Sequence, residues 1–244
     1  MSRICDGRAV IITGAGGGLG RAYALAFAAE GAGVVVNDIN EAAAQDTVAT
    51  IEASGGRAVV DRSDITSYDD SLNAVRTALD NFGSLHVVVN NAGICRDRMF
   101  ASMTEEDWDA VIAVHLKGHF CITSHAVHYW RGQSKEGKAV DARIINTSSG
   151  AGLNGSIGQS NYAAAKAGIA ALTINQAAEL ARYGITANAL APSARTGMTE
   201  EVFADMMEKP EDGGFDAFDP ANIAPLVVWL GSTGSAGVTG RVFE

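Results

Sequence analysis

At 244 residues the chain is long enough to bury a full core, and 47% hydrophobic and 19% charged residues with only 4 Pro describe an ordinary globular protein. A formal net charge of −10 at pH 7 gives it a negative field, which argues against nucleic acid and membrane surfaces as partners. The apolar run Ala9 to Ile12 is too short for a signal-peptide core, and Cys5, Cys95 and Cys121 have no metal-ligand spacing, so the expectation is a cytoplasmic protein with reduced thiols.

The first half alternates strand-like and helix-like segments. A buried strand over 8–13 runs into a Gly-rich turn, and a helix over 19–30 stops at Gly31. A strand over 33–38, a helix over 40–54, a strand over 57–61, a helix over 67–82 and a strand over 85–91 continue the rhythm. Strands this apolar are buried on both faces, and their alternation with helices implies a parallel, doubly wound sheet. A long helix over 104–130 follows, with Thr104 as N-cap and acidic residues in its first turn. Then come a strand over 142–149, an alanine-rich helix over 160–182 and a strand over 185–192. Periodicity is lost over 193–219, and a short helix near 221–231 and a strand over 238–243 close the chain. The predicted fold is therefore α/β: a Rossmann-type, doubly wound three-layer sandwich on a mostly parallel seven-stranded sheet, in a single domain over 1–244.

Three features carry chemistry. The turn TGAGGGLG at 13–20 joins the first strand to the first helix; Gly14, Gly18 and Gly20 permit a tight turn whose amides, with that of Leu19, can meet a pyrophosphate. Asp38 ends the second strand, where a carboxylate accepts hydrogen bonds from the adenosine ribose and repels a 2′-phosphate. No Arg or Lys stands within 13–20, so NAD is favoured over NADP. Tyr162 and Lys166 stand four residues apart, on one helix face, while Ala167, Ala170, Ile174 and Ala178 mark a different, apolar one. By itself the pair fits either an acid with a tuning ammonium or a solvated helix edge.

Together with NNAG at 90–93 and a strand-end Ser149, these motifs resemble the short-chain dehydrogenase/reductase family over essentially the whole chain. The resemblance implies that Tyr162 is the general acid/base, with Lys166 lowering its pKa and holding the nicotinamide ribose, while Ser149 binds the substrate oxygen. It also implies that Asp64 and Ile65 meet the adenine side, that Asn90, Asn91, Ala92 and Gly93 form a wall beside the cofactor, and that Pro192 and Thr196 meet the carboxamide. One departure is His115, which stands where the family carries asparagine, either as a proton relay or as filler; another is Ser193 after Pro192, where the family reads glycine. His115 and His119 lie at i, i+4, but no third ligand completes a metal set, and no metal is expected.

Within the family, GRAYALAF, GICRDRMF, VHLKGHF and APSARTGMT resemble the (3R)-hydroxyacyl-CoA dehydrogenase unit of the multifunctional enzyme, also called 17β-hydroxysteroid dehydrogenase type 4. The implied substrate is a lipid-like small molecule, an acyl-CoA or a steroid, and the implied assembly a homodimer or homotetramer. The segment 194–219, with Met198, Phe203, Met206, Met207, Phe215 and Phe218, reads either as an apolar lid or as a surface loop. Leu153, Trp108 and Phe100 are candidates for an apolar wall, and Arg96 and Arg98 for CoA phosphates or for solvated charges. A 3-oxoacyl-acyl-carrier-protein reductase and a non-catalytic dinucleotide sensor are the alternatives.

Overall fold

The computed structural model of the chain describes residues 3–195, 209 and 214–244. Among the described residues seven strands form one parallel sheet: β1 (Ala9–Thr13), β2 (Gly33–Asn37), β3 (Arg57–Asp61), β4 (Val87–Asn90), β5 (Ala142–Thr147), β6 (Ile185–Leu190) and β7 (Val242–Phe243). Their order is β3-β2-β1-β4-β5-β6-β7, so the winding direction reverses between β1 and β4. Ligands of such sheets sit in the crevice beyond the carboxyl ends of the strands at that reversal.

Side chains of alternate strand residues enter opposite faces of a sheet, and two cores result. Val10, Ile12, Val34, Val36, Val87 and Val89 enter one with residues of α1 (Gly18–Ala29), α2 (Glu41–Ala53) and α8 (Ala224–Gly231). Ile11, Val35, Val88 and Ile144 enter the other, against α3 (Tyr68–Phe82), α5 (Gly118–Lys135) and α7 (Ser160–Leu180). The three layers follow from that alternation.

Helix starts obey local rules. Asn40, Ser67 and Thr104 cap α2, α3 and α4 (Glu105–Ile112) by accepting from Ala43, Asp70 and Asp107 N–H. The helix expected over 104–130 is instead two helices, α4 and α5, joined by a π-helical turn at Ala113–Lys117 that contains His115. The apolar spacing continues through that turn, so periodicity alone does not reveal it. A five-residue helix, α6 (Gly150–Asn154), is additional to the expected elements; Ser149 caps it by accepting from Ala151 N–H at 3.2 Å. The closing strand is only Val242–Phe243.

The alanine-rich α7 buries a mixed face, on which Ala165, Ile169, Ala177 and Leu180 stand among polar residues, and not the apolar face its spacing suggests. Its buried face carries Asn161, Lys166, Thr173 and Gln176, while Ala167, Ile174 and Ala178 are exposed. Asn146 draws the polar face inward, its Nδ2 donating to Thr173 Oγ1 at 2.8 Å and Gln176 Oε1 at 2.9 Å. Thr196, Met198, Phe203, Met206 and Met207 lie outside the described residues; of the other aromatics expected in that segment, Phe215 is exposed and Phe218 half-buried. No helix among the described residues is long and apolar enough to cross a membrane.

Candidate active site

A cavity of about 310 Å³ opens at the sheet reversal, lined by Gly14, Gly18, Leu19, Asp38, Asn91 and Gly93 on one side and by His115, Ser149, Tyr162, Lys166, Pro192 and Ala194 on the other. The glycines exist for want of space. A Cβ on Gly20 would stand 2.1 Å from the Gly14 carbonyl oxygen, and one on Gly14, whose φ is +64°, would stand 2.9 Å from Ala92 Cα. Unlike α2, α3 and α4, helix α1 has no side-chain cap and no acidic residue in its first turn. Its leading N–H groups and positive dipole end therefore meet the cavity unneutralised, as a pyrophosphate requires.

Asp38 stands at the mouth of the same cavity. Its carboxylate accepts from Gly16 N–H and Asn40 N–H, each at 2.9 Å, which fixes its plane and leaves acceptor capacity toward the cleft. A Cβ on Gly16 would approach Asp38 Oδ2 to 2.8 Å, so Gly16 lets the turn close onto the carboxylate. This cradle suits an adenosine ribose and a diphosphate. Asn91 is locked by donating through Nδ2 to the Thr13 carbonyl at 3.1 Å, and Ala92 N–H donates to Thr13 Oγ1 at 3.0 Å. Asn90 sits below them as a strut, donating to Thr123 Oγ1 and Asn146 Oδ1. Asp64 and Ile65 do not line this cavity: the Asp64 carboxylate accepts from Thr66 N–H and Oγ1, and Ile65 is buried against Gly118.

Ser149, Tyr162 and Lys166 come together at the other side. Lys166 is buried, and its Nζ donates to the Thr147 carbonyl at 2.6 Å. Burial pushes its pKa from 10.5 down to about 7, the Cys95 thiol opposing the shift. Nζ lies 5.4 Å from the Tyr162 ring centroid. The expected lowering of the Tyr162 pKa is reversed in the protein by itself. Burial raises the phenol to about 12, against a hydrogen bond from Ser149 that pulls it down, because desolvation disfavours the phenolate more than one neutral donor supports it. Tyr162 is thus a proton donor at neutral pH, with a hydroxyl beside it.

His115 is 1% exposed, and its Nε2 meets the backbone of Ile94, at 3.0 Å from N and 2.8 Å from O. The ring stands edge-on to Tyr162 with centroids 5.1 Å apart. Burial, with the Lys166 charge adding to it, lowers its pKa to about 3, so the ring is neutral. A Cβ on Gly93 would be 2.4 Å from His115 Cε1. The imidazole fills the floor against Gly93, and its Nδ1 has no partner among the described residues. No group of three or more His, Cys, Asp or Glu side chains with metal-binding geometry occurs among the described residues.

Sequence reasoning missed three contributors. Thr147 supplies the carbonyl that holds Lys166, and Ser148 Oγ donates to the Lys166 carbonyl at 2.8 Å. Asn161 is fully buried beside Tyr162. Its only signal is its adjacency to the tyrosine, since a backbone carbonyl partner leaves no mark in a sequence.

Comparison with known proteins agrees with this geometry. The profile of the short chain dehydrogenase family matches residues 8–207. The hydroxyacyl-CoA dehydrogenase ChsB1 of Mycobacterium tuberculosis is 48% identical over 245 residues, which cover 98% of this chain and 77% of that protein. Peroxisomal multifunctional enzyme type 2 of Mus musculus is 45% identical over 92% of this chain, which spans 30% of that longer protein. The 3-oxoacyl-[acyl-carrier-protein] reductase FabG of Thermotoga maritima is 37% identical over 97% of this chain and 95% of its own. The crystal structure of a short chain dehydrogenase from Mycobacterium avium superposes with a TM-score of 0.90 at 58% identity, covering 99% of this chain and 82% of that one.

Proposed function

The chain belongs to the short-chain dehydrogenase family, and on that footing we propose that it oxidises the hydroxyl of a 3-hydroxyacyl-CoA thioester, of (3R) configuration, with NAD⁺. An oxidoreductase of CH–OH groups needs a proton-transfer group at the substrate oxygen and a cradle for a nicotinamide dinucleotide. The observation that carries the reading is that Ser149, Tyr162 and Lys166 share one cavity with the uncapped start of α1 and with Asp38. A bound dinucleotide supplies the hydride acceptor in oxidation and the donor in reduction. Gly14, Gly18, Leu19 and Gly20 hold its diphosphate, and Asp38 accepts from its adenosine ribose and repels a 2′-phosphate, which favours NAD over NADP. Asn91, Ala92 and Gly93 wall the nicotinamide side, and Pro192 meets its carboxamide.

Tyr162 exchanges a proton with the substrate oxygen, and Ser149 donates to that oxygen and fixes it. The positive charge of an oxidised nicotinamide beside the phenol, with that of Lys166 when it is protonated, lowers a pKa that stands at about 12 in the protein by itself. Exposed Met99, Phe100, Leu153 and Ile157 lie on the segments flanking these groups and offer an apolar surface to an acyl chain or a steroid. The outward face of α7, with Ala167, Ile174 and Ala178, is suited to a second copy of the chain in a dimer or tetramer.

The test is a turnover screen of hydroxyacyl-CoA thioesters, hydroxysteroids and acyl-carrier-protein thioesters with both dinucleotides. Turnover of the CoA thioesters with NAD⁺ supports the reading. A steep preference for NADPH and carrier-protein substrates replaces it with a 3-oxoacyl reductase, and dinucleotide binding without turnover of any alcohol replaces it with a sensor.

A further inference from the structure

The segment that leaves β4 is fastened to the start of the helix that carries Tyr162. Arg98 N–H donates to the Gly158 carbonyl at 2.8 Å, Gln159 Nε2 to Asp97 Oδ2 at 2.8 Å, and Asn161 Nδ2 to the Arg96 carbonyl at 3.0 Å. Two residues earlier in the same segment, Ile94 holds His115, which stands edge-on to the Tyr162 ring. Asn161 does more than join two segments. Its Nδ2 also donates to the Asp107 carbonyl of α4 at 3.1 Å, and its Oδ1 accepts from Tyr162 N–H at 2.8 Å. Its side chain therefore uses both amide hydrogens and the carbonyl, at 0% exposure, on three different elements.

Tyr162 N–H lies in the first turn of α7, where no helical carbonyl is available, and the N-cap residue Gln159 provides no side-chain cap. A single amide thus binds the backbone of Tyr162, the 94–98 segment and helix α4. We propose that Asn161 is a positioning residue for Tyr162, holding the phenol and the 94–98 segment as one rigid unit that limits the access of water to the ring. This rests on the dehydrogenase reading only in the identity of the reaction that Tyr162 serves. A misplacement of about 1 Å at a reacting group is enough to lose on the order of 10²-fold in rate.

Two variants test it. Asn161→Ala removes all three hydrogen bonds. Asn161→Asp keeps the acceptor for Tyr162 N–H, but when ionised it donates to neither carbonyl, and when protonated it regains one donor. In Asn161→Ala, kcat should fall by on the order of 10²-fold while KM for the dinucleotide moves less than about threefold. Independently of turnover, the Tyr162 phenol can be titrated by absorbance, isolated by difference against the same protein carrying Tyr162→Phe. Its midpoint should drop from about 12 toward the ordinary 10 in Asn161→Ala as water reaches the ring. In Asn161→Asp, activity relative to the parent should rise as pH falls, whereas in Asn161→Ala that ratio should stay flat.

Unchanged kcat and an unchanged phenol midpoint, with lower melting temperature alone, would reduce Asn161 to a structural strut and overturn the proposal. So would an Asn161→Asp ratio that does not move with pH. Should Asn161→Ala fail to fold, the Asn161→Asp ratio and its phenol titration decide. If the parent protein oxidises no alcohol, the dehydrogenase reading fails by itself, and the phenol titration still decides whether Asn161 keeps water from Tyr162.

Discussion

Lys166 should make the dinucleotide-free protein less stable than its own fold requires, by an amount that depends on pH. The side chain is 2% exposed and has the Thr147 carbonyl, at 2.6 Å, as its hydrogen-bond partner, and burial moves its pKa from 10.5 to about 7. Between those values the unfolded chain holds a proton that the folded chain does not, so stability rises with pH across that window. With a folded pKa of about 7, linkage gives a destabilisation of roughly 4 kcal/mol at about pH 7 and roughly 2 kcal/mol at about pH 9. Lys166→Met keeps most of the volume and removes the titration. Urea unfolding of both proteins at the two pH values, without cofactor, should show the parent gaining about 2 kcal/mol on the variant from the lower to the higher pH. Other titrating groups are shared and cancel in the comparison. Parallel pH dependence of the two proteins would refute the account, because it would mean that Lys166 is fully charged, and hence solvated or paired, in the folded state.

Ser149→Ala should lower kcat by on the order of 10²- to 10³-fold with little change in dinucleotide affinity, measured by steady-state kinetics and by binding to the resting protein. It should also remove about 1 kcal/mol of stability, because Ser149 caps α6. Asp38→Ala should reduce the ratio of NAD to NADP efficiency by on the order of 10-fold or more, the worth of hydrogen bonds to a carboxylate; an unchanged ratio would place cofactor selection elsewhere. Gly93→Ala would set a methyl 2.4 Å from His115 Cε1 and displace a ring that stands edge-on to Tyr162. Overpacking of that kind should cost about 1–3 kcal/mol in a denaturation series and depress kcat with it.

Particular residues show what a sequence can carry. The strands are legible because runs such as Val34, Val35 and Val36 are buried on both faces and bounded by glycine or polar turns. Helix starts at Asn40, Ser67 and Thr104 are legible because a cap is a local bond between residues three apart. The π-helical turn at Ala113–Lys117 is not, since it changes hydrogen-bond register without disturbing apolar spacing. The orientation of α7 misleads for a different reason. The apolar spacing of Ala167, Ile174 and Ala178 points to the wrong face, because Asn161, Lys166, Thr173 and Gln176 are buried and each finds a partner on a segment far away in sequence. The same distance hides Asn161, which has no motif of its own. Tyr162 stands out in the sequence as a candidate acid/base, but its pKa direction does not, because burial is a property of the folded environment.

The proton transfer proposed for Tyr162 can be read by mixing NAD⁺ and a (3R)-hydroxyacyl-CoA with the parent protein and with Tyr162→Phe, and following the absorbance of the reduced dinucleotide while dinucleotide binding is measured on both. The account predicts steady formation of NADH by the parent, loss of at least about 10²-fold in the variant, and comparable binding of NAD⁺ by the two. Equal rates in parent and variant, or binding lost together with turnover, would contradict it.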